Sequence, residues 1–233
     1  MKHVLFILLL SISFQDLAQE TIKISGLEFM AKDLGKMDWN KAQKICDSMG
    51  NGWRLPTKDD FLKLVRLITI VGEIKPRPEK YWGIEINKEY AYYTAFAGSI
   101  GSDVSQDYSI KNELNIVRLV REDSTQSFSP ESIKLKSIGL EIMKNDIGQC
   151  DYFVAIEICE MLENGWRLPT KDELIKMYKL RESIGGFRNY GRGYWTSSDY
   201  SDASKWCVNF SDGNIYFDGK FSDGQLRAVR TLK

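Results

Sequence analysis

Apolar residues recur along the chain in two rhythms, and the same succession of rhythms runs twice. Ile22 and Ile24, followed by Gly26-Leu27-Glu28-Phe29-Met30, predict a short strand. Trp39, Ala42, Ile45, Cys46 and Met49 then form the stripe of an amphipathic helix running from Trp39 to about Met49, with Asp38 as its N-cap. Gly50-Asn51-Gly52 stops it, because glycine and asparagine tolerate a left-handed cap. Pro56 forces Leu55 to be extended. Thr57 and Asp60 carry a capping-box variant for a second helix, whose apolar face is Phe61, Leu64, Val65 and Ile68. Trp53 and Leu55 alternate with Arg54, so they face the core while Arg54 points away. An arginine held in that way suits fork hydrogen bonds to a carboxylate or to carbonyls better than a ligand. Pro76 and Pro78 mark a loop, and Tyr81-Trp82 and Tyr90–Phe96 read as aromatic strands. Ala97-Gly98-Ser99 is a turn, and Asn115–Val120 is an alternating strand that closes the unit.

The second run begins after Asp123–Ser132, a Ser-, Thr- and Pro-containing connector. Asn51 to Asp59 and Asn164 to Asp172 share the same nine residues, 113 positions apart, which marks a tandem duplication. Gly26-Leu27-Glu28 matches Gly139-Leu140-Glu141, and Ala42, Ile45 and Cys46 match Ala155, Ile158 and Cys159. Tyr81-Trp82 matches Tyr194-Trp195, Tyr92 and Phe96 match Trp206 and Phe210, and Val117-Arg118 matches Val229-Arg230. The expectation is an α+β fold in which each repeat packs two helices on a small antiparallel sheet. The units run over 20–122 and 138–233, with a linker over 123–137 and a signal peptide over 1–19. Residues 184–193 are rich in glycine and aromatics but do not follow a strand and open a helix, so phosphate cradling is rejected. Turns are expected at 211–214, 217–219 and 222–224.

Charge narrows the partners. Lys+Arg and Asp+Glu both number 32, so no global basic field exists to recruit nucleic acid. Met1-Lys2-His3, the apolar run Val4–Ile12 and the small Ala18 fit a cleaved export signal, too short to serve as a membrane span. The chain is therefore expected to be secreted, periplasmic or at the cell surface. His3 is the only histidine and lies in that signal, so histidine-dependent triads and histidine-ligated metals are excluded from the mature chain. Of the four cysteines, Cys46 and Cys159 occupy equivalent helix positions. Cys150 and Cys207, whose counterparts are Met37 and Tyr93, are both confined to the second repeat. A bonded pair tends to come and go together, which predicts Cys150–Cys207, with Cys159–Cys207 as the competing pairing. No Cys-x-x-Cys is present to suggest a metal or redox motif.

The order Ala-x-x-x-Cys, Gly-Trp-Arg-Leu-Pro-Thr-Lys-Asp-Glu-Leu, Tyr-Trp-Thr-Ser-Ser, then a closing Val-Arg strand resembles a known family. It is the family of the Legionella collagen-like protein C-terminal domain, related to the Fibrobacter major paralogous domains. The resemblance implies tandem C-type-lectin-like domains in secreted or surface proteins, and its name-giving member is an adhesin for glycosaminoglycans. A second resemblance, through Arg-Leu-Pro-Thr-x-x-Glu, is to formylglycine-generating enzymes, whose chemistry uses a late cysteine pair with copper. Here only Cys207 is late. The leading expectation is a non-catalytic binding or adhesion module for an extracellular glycan or protein, with no cofactor and no metal. The alternatives are a formylglycine-generating-type relative and a structural subunit of a surface assembly. Candidate contacts lie in the second repeat's loops. Tyr190, Trp195, Tyr200 and Tyr216 would stack, and Arg188, Arg192, Asp199, Asp212 and Asn214 would supply polar groups. Asp199, Asp202, Asp212, Asp218 and Asp223 are oxygen-rich positions of the kind calcium uses.

Overall fold

The computed structural model describes residues 20–67, 74, 76, 78–98, 104–123 and 130–232. The expected signal segment, Ile68 and Ser99 lie outside them. The first repeat runs β1 (Thr21–Ile24), β2 (Leu27–Met30), β3 (Lys36–Met37), α1 (Trp39–Met49), α2 (Lys58–Arg66), β4 (Tyr81–Glu85), β5 (Tyr90–Phe96), β6 (Val104–Ile110), β7 (Asn115–Ile116) and β8 (Val120–Glu122). The second repeat runs β9 (Ser132–Leu135), a 3-10 turn (Lys136–Ile138), β10 (Leu140–Met143), β11 (Gly148–Cys150), α3 (Tyr152–Met161), α4 (Lys171–Lys179), α5 (Arg181–Ile184), β12 (Tyr194–Ser201), β13 (Ser204–Val208), β14 (Ile215–Gly219), β15 (Gly224–Leu226) and β16 (Val229–Thr231). Each repeat has one five-stranded sheet, ordered β3-β7-β4-β5-β6 and β11-β15-β12-β13-β14, and one three-stranded sheet. The molecule is α+β, and the same topology is drawn twice.

The repeated motif does the structural work its sequence predicts. Thr57 and Thr170 cap α2 and α4, with full capping boxes to Asp60 and Glu173. Arg54 donates to Asp60 at 2.6 Å and to Glu122 at 2.8 Å. Arg167 grips both oxygens of Glu173 at 2.7 and 2.8 Å. Trp53, Leu55, Trp166 and Leu168 are buried. The indole N–H of Trp82 donates to the Met37 carbonyl at 2.8 Å, and that of Trp195 donates to Cys150 at 2.9 Å.

Four expectations are corrected. Arg54 and Arg167 bridge Val120 and Val229, so Val120-Arg121, not Val117-Arg118, is the counterpart of Val229-Arg230. Arg121 and Arg230 accordingly lie over Trp53 and Trp166. Strand β9, inside the expected linker, pairs with β10 as part of the second repeat. Residues 217–219 belong to β14, and the turn falls just beyond them. All four cysteines are free buried thiols. Cys150 pairs with Gly224 on β15, Tyr194 on β12 with Gln225, and Trp195 with Cys207 on β13. The two cysteines therefore stand three interstrand spacings apart, about 14 Å, whereas a disulfide needs Cα atoms within about 7 Å.

The core is not divided at the repeat boundary. One cluster joins Phe61, Leu64 and Val65 of α2 to Val154, Ile158 and Met161 of α3. The buried Arg66 bonds Glu157 across it at 3.1 Å. This explains a difference between equivalent helices. Lys41, Lys44 and Ser48 keep one side of α1 exposed, and α3 has Val154, Glu157 and Met161 in their places. A helix that is apolar nearly all round needs partners on both sides. Its own sheet covers one side of α3, and the first repeat covers the other.

Candidate functional site

The hairpins of the second five-stranded sheet carry an aromatic strip on one face. Cross-strand pairing places Trp206 of β13 directly opposite Phe217 of β14. Alternation along the strands sends the intervening residues to the other face. Helix α4 packs against β12 and β13 and covers the part of this face around Val208 and Phe210. Beyond its N-terminus lies the hairpin end of the sheet. There Tyr200, at the end of β12, stacks on Phe217 with ring centroids 3.9 Å apart and planes 2° from parallel. It meets Trp206 edge-on at 5.0 Å. Tyr200 and Phe217 are each about half exposed, at 48% and 50%, and Ile215 extends the apolar surface. The ammonium of Lys171, in the first turn of α4, lies 4.6 Å from the centre of the Trp206 ring.

Charged residues from the same strands turn away. Lys205 is buried and pairs with Asp199 at 2.6 Å, and its ammonium sits over the Tyr152 ring. Burial opposes the charge on Lys205, but Asp199 and Tyr152 outweigh it and raise its pKa. The same lysine holds the Asp199 carboxyl below its ordinary value. Asp218 pairs with Arg192 at 2.9 Å.

The first repeat has a weaker version of the strip. Tyr92 stands opposite Tyr108, and Tyr90 meets Tyr108 edge-on at 5.5 Å. Tyr108 and Ile110 are exposed. A shallow cavity of about 240 Å³ adjoins them, lined by Asn40, Lys88, Glu89, Tyr90, Ile110, Lys111 and Asn112.

The candidates named from sequence do not converge on one site. Tyr200 belongs to the strip, and Asp199 and Arg192 form ion pairs near it. Trp195 is a core residue, 1% exposed, and cannot stack on a ligand. Tyr216 points inward, where its half-buried hydroxyl accepts from the Gly193 N–H at 2.9 Å and burial pushes its pKa up. Arg188 and Tyr190 lie together on the 185–193 loop, with the guanidinium 5.3 Å from the ring centre. Asp212 and Asn214 are turn residues, the Asn214 N–H donating to the Asp212 carboxylate at 2.8 Å. The acidic positions suggested for calcium do not gather either. Among the described residues, no three His, Cys, Asp or Glu side chains are grouped to hold a metal ion. The half-exposed Phe217 and the partly buried Trp206 were not singled out from the sequence, although their alternation with Tyr216 and Cys207 put them on a common face.

Cys207 is unsuited to chemistry. It is 1% exposed, and burial pushes its thiol up to about 12, away from the thiolate that a reactive cysteine needs. Among the described residues, no helix is long and apolar enough to cross a membrane.

Residues 136–230, the second repeat, match the family model described as the Lcl C-terminal domain. Among curated proteins, no sequence matches the chain.

Proposed function

We propose, from a second repeat that matches the family model of the Lcl C-terminal domain, that this chain is an exported, surface-associated binding module that acts by recognition and not by catalysis. Both repeats are read as C-type-lectin-like domains, the first over residues 20–122 and the second over 138–233, with β9 added to the latter. The observation that carries the reading is the aromatic strip in which the half-exposed Tyr200 and Phe217 pack with the partly buried Trp206. Its position is matched by Tyr92 and Tyr108 in the first repeat. Water-exposed aromatic rings packed on one another form a ready-made contact surface, because their geometry is fixed before a partner arrives. The formylglycine-generating alternative would need a reactive late cysteine, and the burial of Cys207 speaks against one.

Two measurements test the proposal. N-terminal sequencing of the exported protein should find a start near Ala18–Glu20. The whole mature chain, laid on an array of glycans and matrix proteins, should bind at least one member. That binding should fall sharply in Tyr200→Ala and Phe217→Ala, both of which alter exposed side chains. Binding unchanged in both variants would remove the strip from the site.

A further inference from the structure

We infer that the strip of Tyr200, Trp206 and Phe217 takes a neutral, pyranose-based polysaccharide. The inference rests on the binding-module reading above and names the ligand class for its site. Three observations select this class. The first is shape. Tyr200 and Phe217 are each about half exposed on the sheet face, with Trp206 partly buried beside Tyr200 and Lys171. A small molecule would gain little burial on such a surface, whereas a chain laid along it gains contact from successive units. The second is charge. Among the described residues, the cation found against these rings is Lys171, engaged with the Trp206 ring. Asp199, Lys205 and Asp218 are paired among themselves or with Arg192. A sulfated or otherwise polyanionic chain is held by several cations acting together, whereas among the described residues a single ammonium, that of Lys171, is seen against these rings. The axial C–H face of a pyranose, in contrast, is apolar and matches an aromatic face by burial and dispersion, while its hydroxyls stay in water.

The third observation weighs against an extended peptide. Strand β14 is the edge of its sheet, and strand addition would need its outward backbone groups. It is five residues long, and the Gly219 N–H is already taken by the Asp218 carboxylate at 2.9 Å. A short strand with an acidic cap on its backbone is a blunted edge.

The test uses the intact mature protein in native affinity gels cast with hydroxyethyl cellulose, galactomannan or laminarin. Parallel lanes contain heparin as the polyanion and gelatin as the extended peptide. The expected result is retardation by at least one neutral polysaccharide, unchanged between low and high salt. Phe217→Ala and Tyr200→Ala should each weaken it by about tenfold or more, a loss of about 1.4 kcal/mol or more. Tyr190→Ala, which removes an exposed ring outside the strip, should leave it intact. Urea midpoints equal to the parent's establish that the variants are folded. Retardation by heparin alone, abolished by salt and kept in Phe217→Ala, overturns the inference. So does gelatin binding that is lost in Phe217→Ala while all three neutral polymers fail. That last outcome leaves the binding-module reading standing. Failure of every probe, with array binding indifferent to both strip variants, overturns the inference alone, and no binding to any array member overturns the two together.

Discussion

Arg167 and Glu173 show how a single ion pair can organise an entrance to a helix. Glu173 accepts from Arg167, from the Thr170 N–H and, with Thr170, closes the capping box of α4. Burial alone would raise the carboxyl pKa, but Arg167 and Thr170 outweigh it and hold it below the ordinary value. Asp60, with Arg54 and Thr57, repeats the balance. Because both folded-state values are depressed, their contribution is complete above the unfolded carboxylate range and is lost as pH falls through the folded value. Glu173→Gln should therefore cost about 1–2 kcal/mol at neutral pH and show a shallower loss of stability in acid than the parent, measured by urea unfolding at several pH values. Gly224 tests close packing. A Cβ there would lie 2.7–3.0 Å from the Trp195 indole, so Gly224→Ala should destabilise by roughly 1–3 kcal/mol. The cysteines test the corrected pairing. All four are buried, so a thiol reagent should titrate them only on unfolding, and adding reductant should leave the melting temperature unchanged. Local chemistry of this kind was legible in the sequence wherever one residue type answers one backbone need. Asp38, Thr57, Thr170 and the Arg-Leu-Pro step all fall into that class. Trp195 was misplaced because an indole in a strand looks the same from the sequence whether it faces a core carbonyl or a ligand.

Comparing α1 with α3 shows where pattern reading ran short. The two helices share Ala42/Ala155, Ile45/Ile158 and Cys46/Cys159 on the face toward their own sheets. They differ on the other face, Lys41, Lys44 and Ser48 against Val154, Glu157 and Met161. The nearly all-apolar face of α3 was the visible sign of the contact between repeats. Val154→Lys should cost about 3 kcal/mol or more, because it places a charge in the joined core. The matching change in α1, Lys41→Val, lies on an exposed position and should stay within about 0.5 kcal/mol. Chemical unfolding of the two variants side by side checks the difference. The closing strands were misaligned for another reason. The first repeat has Val117-Arg118 and Val120-Arg121, the second Leu226-Arg227 and Val229-Arg230, and the bridges from Arg54 and Arg167 identify which copy meets the motif. Cross-strand register of this sort depends on residues far apart in the chain, so a linear match has no access to it.

The junction between repeats also sets how the protein should unfold. Phe61, Leu64 and Val65 share a core with Ile158 and Met161, and Arg66 is buried against Glu157. Tandem domains on a flexible tether would melt independently. Here a single calorimetric transition is expected, and Val154→Lys should split or broaden it. The surfaces that meet are different faces of the same fold, the side of α2 on one unit and the side of α3 on the other. That gives the duplication a direction. A gene rearranged to encode the second unit ahead of the first would press Lys41 and Lys44 into a dry seam and leave Val154 and Met161 in water. Since the ancestral copying event, each half has become committed to its place in the reading frame. The two can diverge at their aromatic strips, but an exchange of their order would break the seam between them.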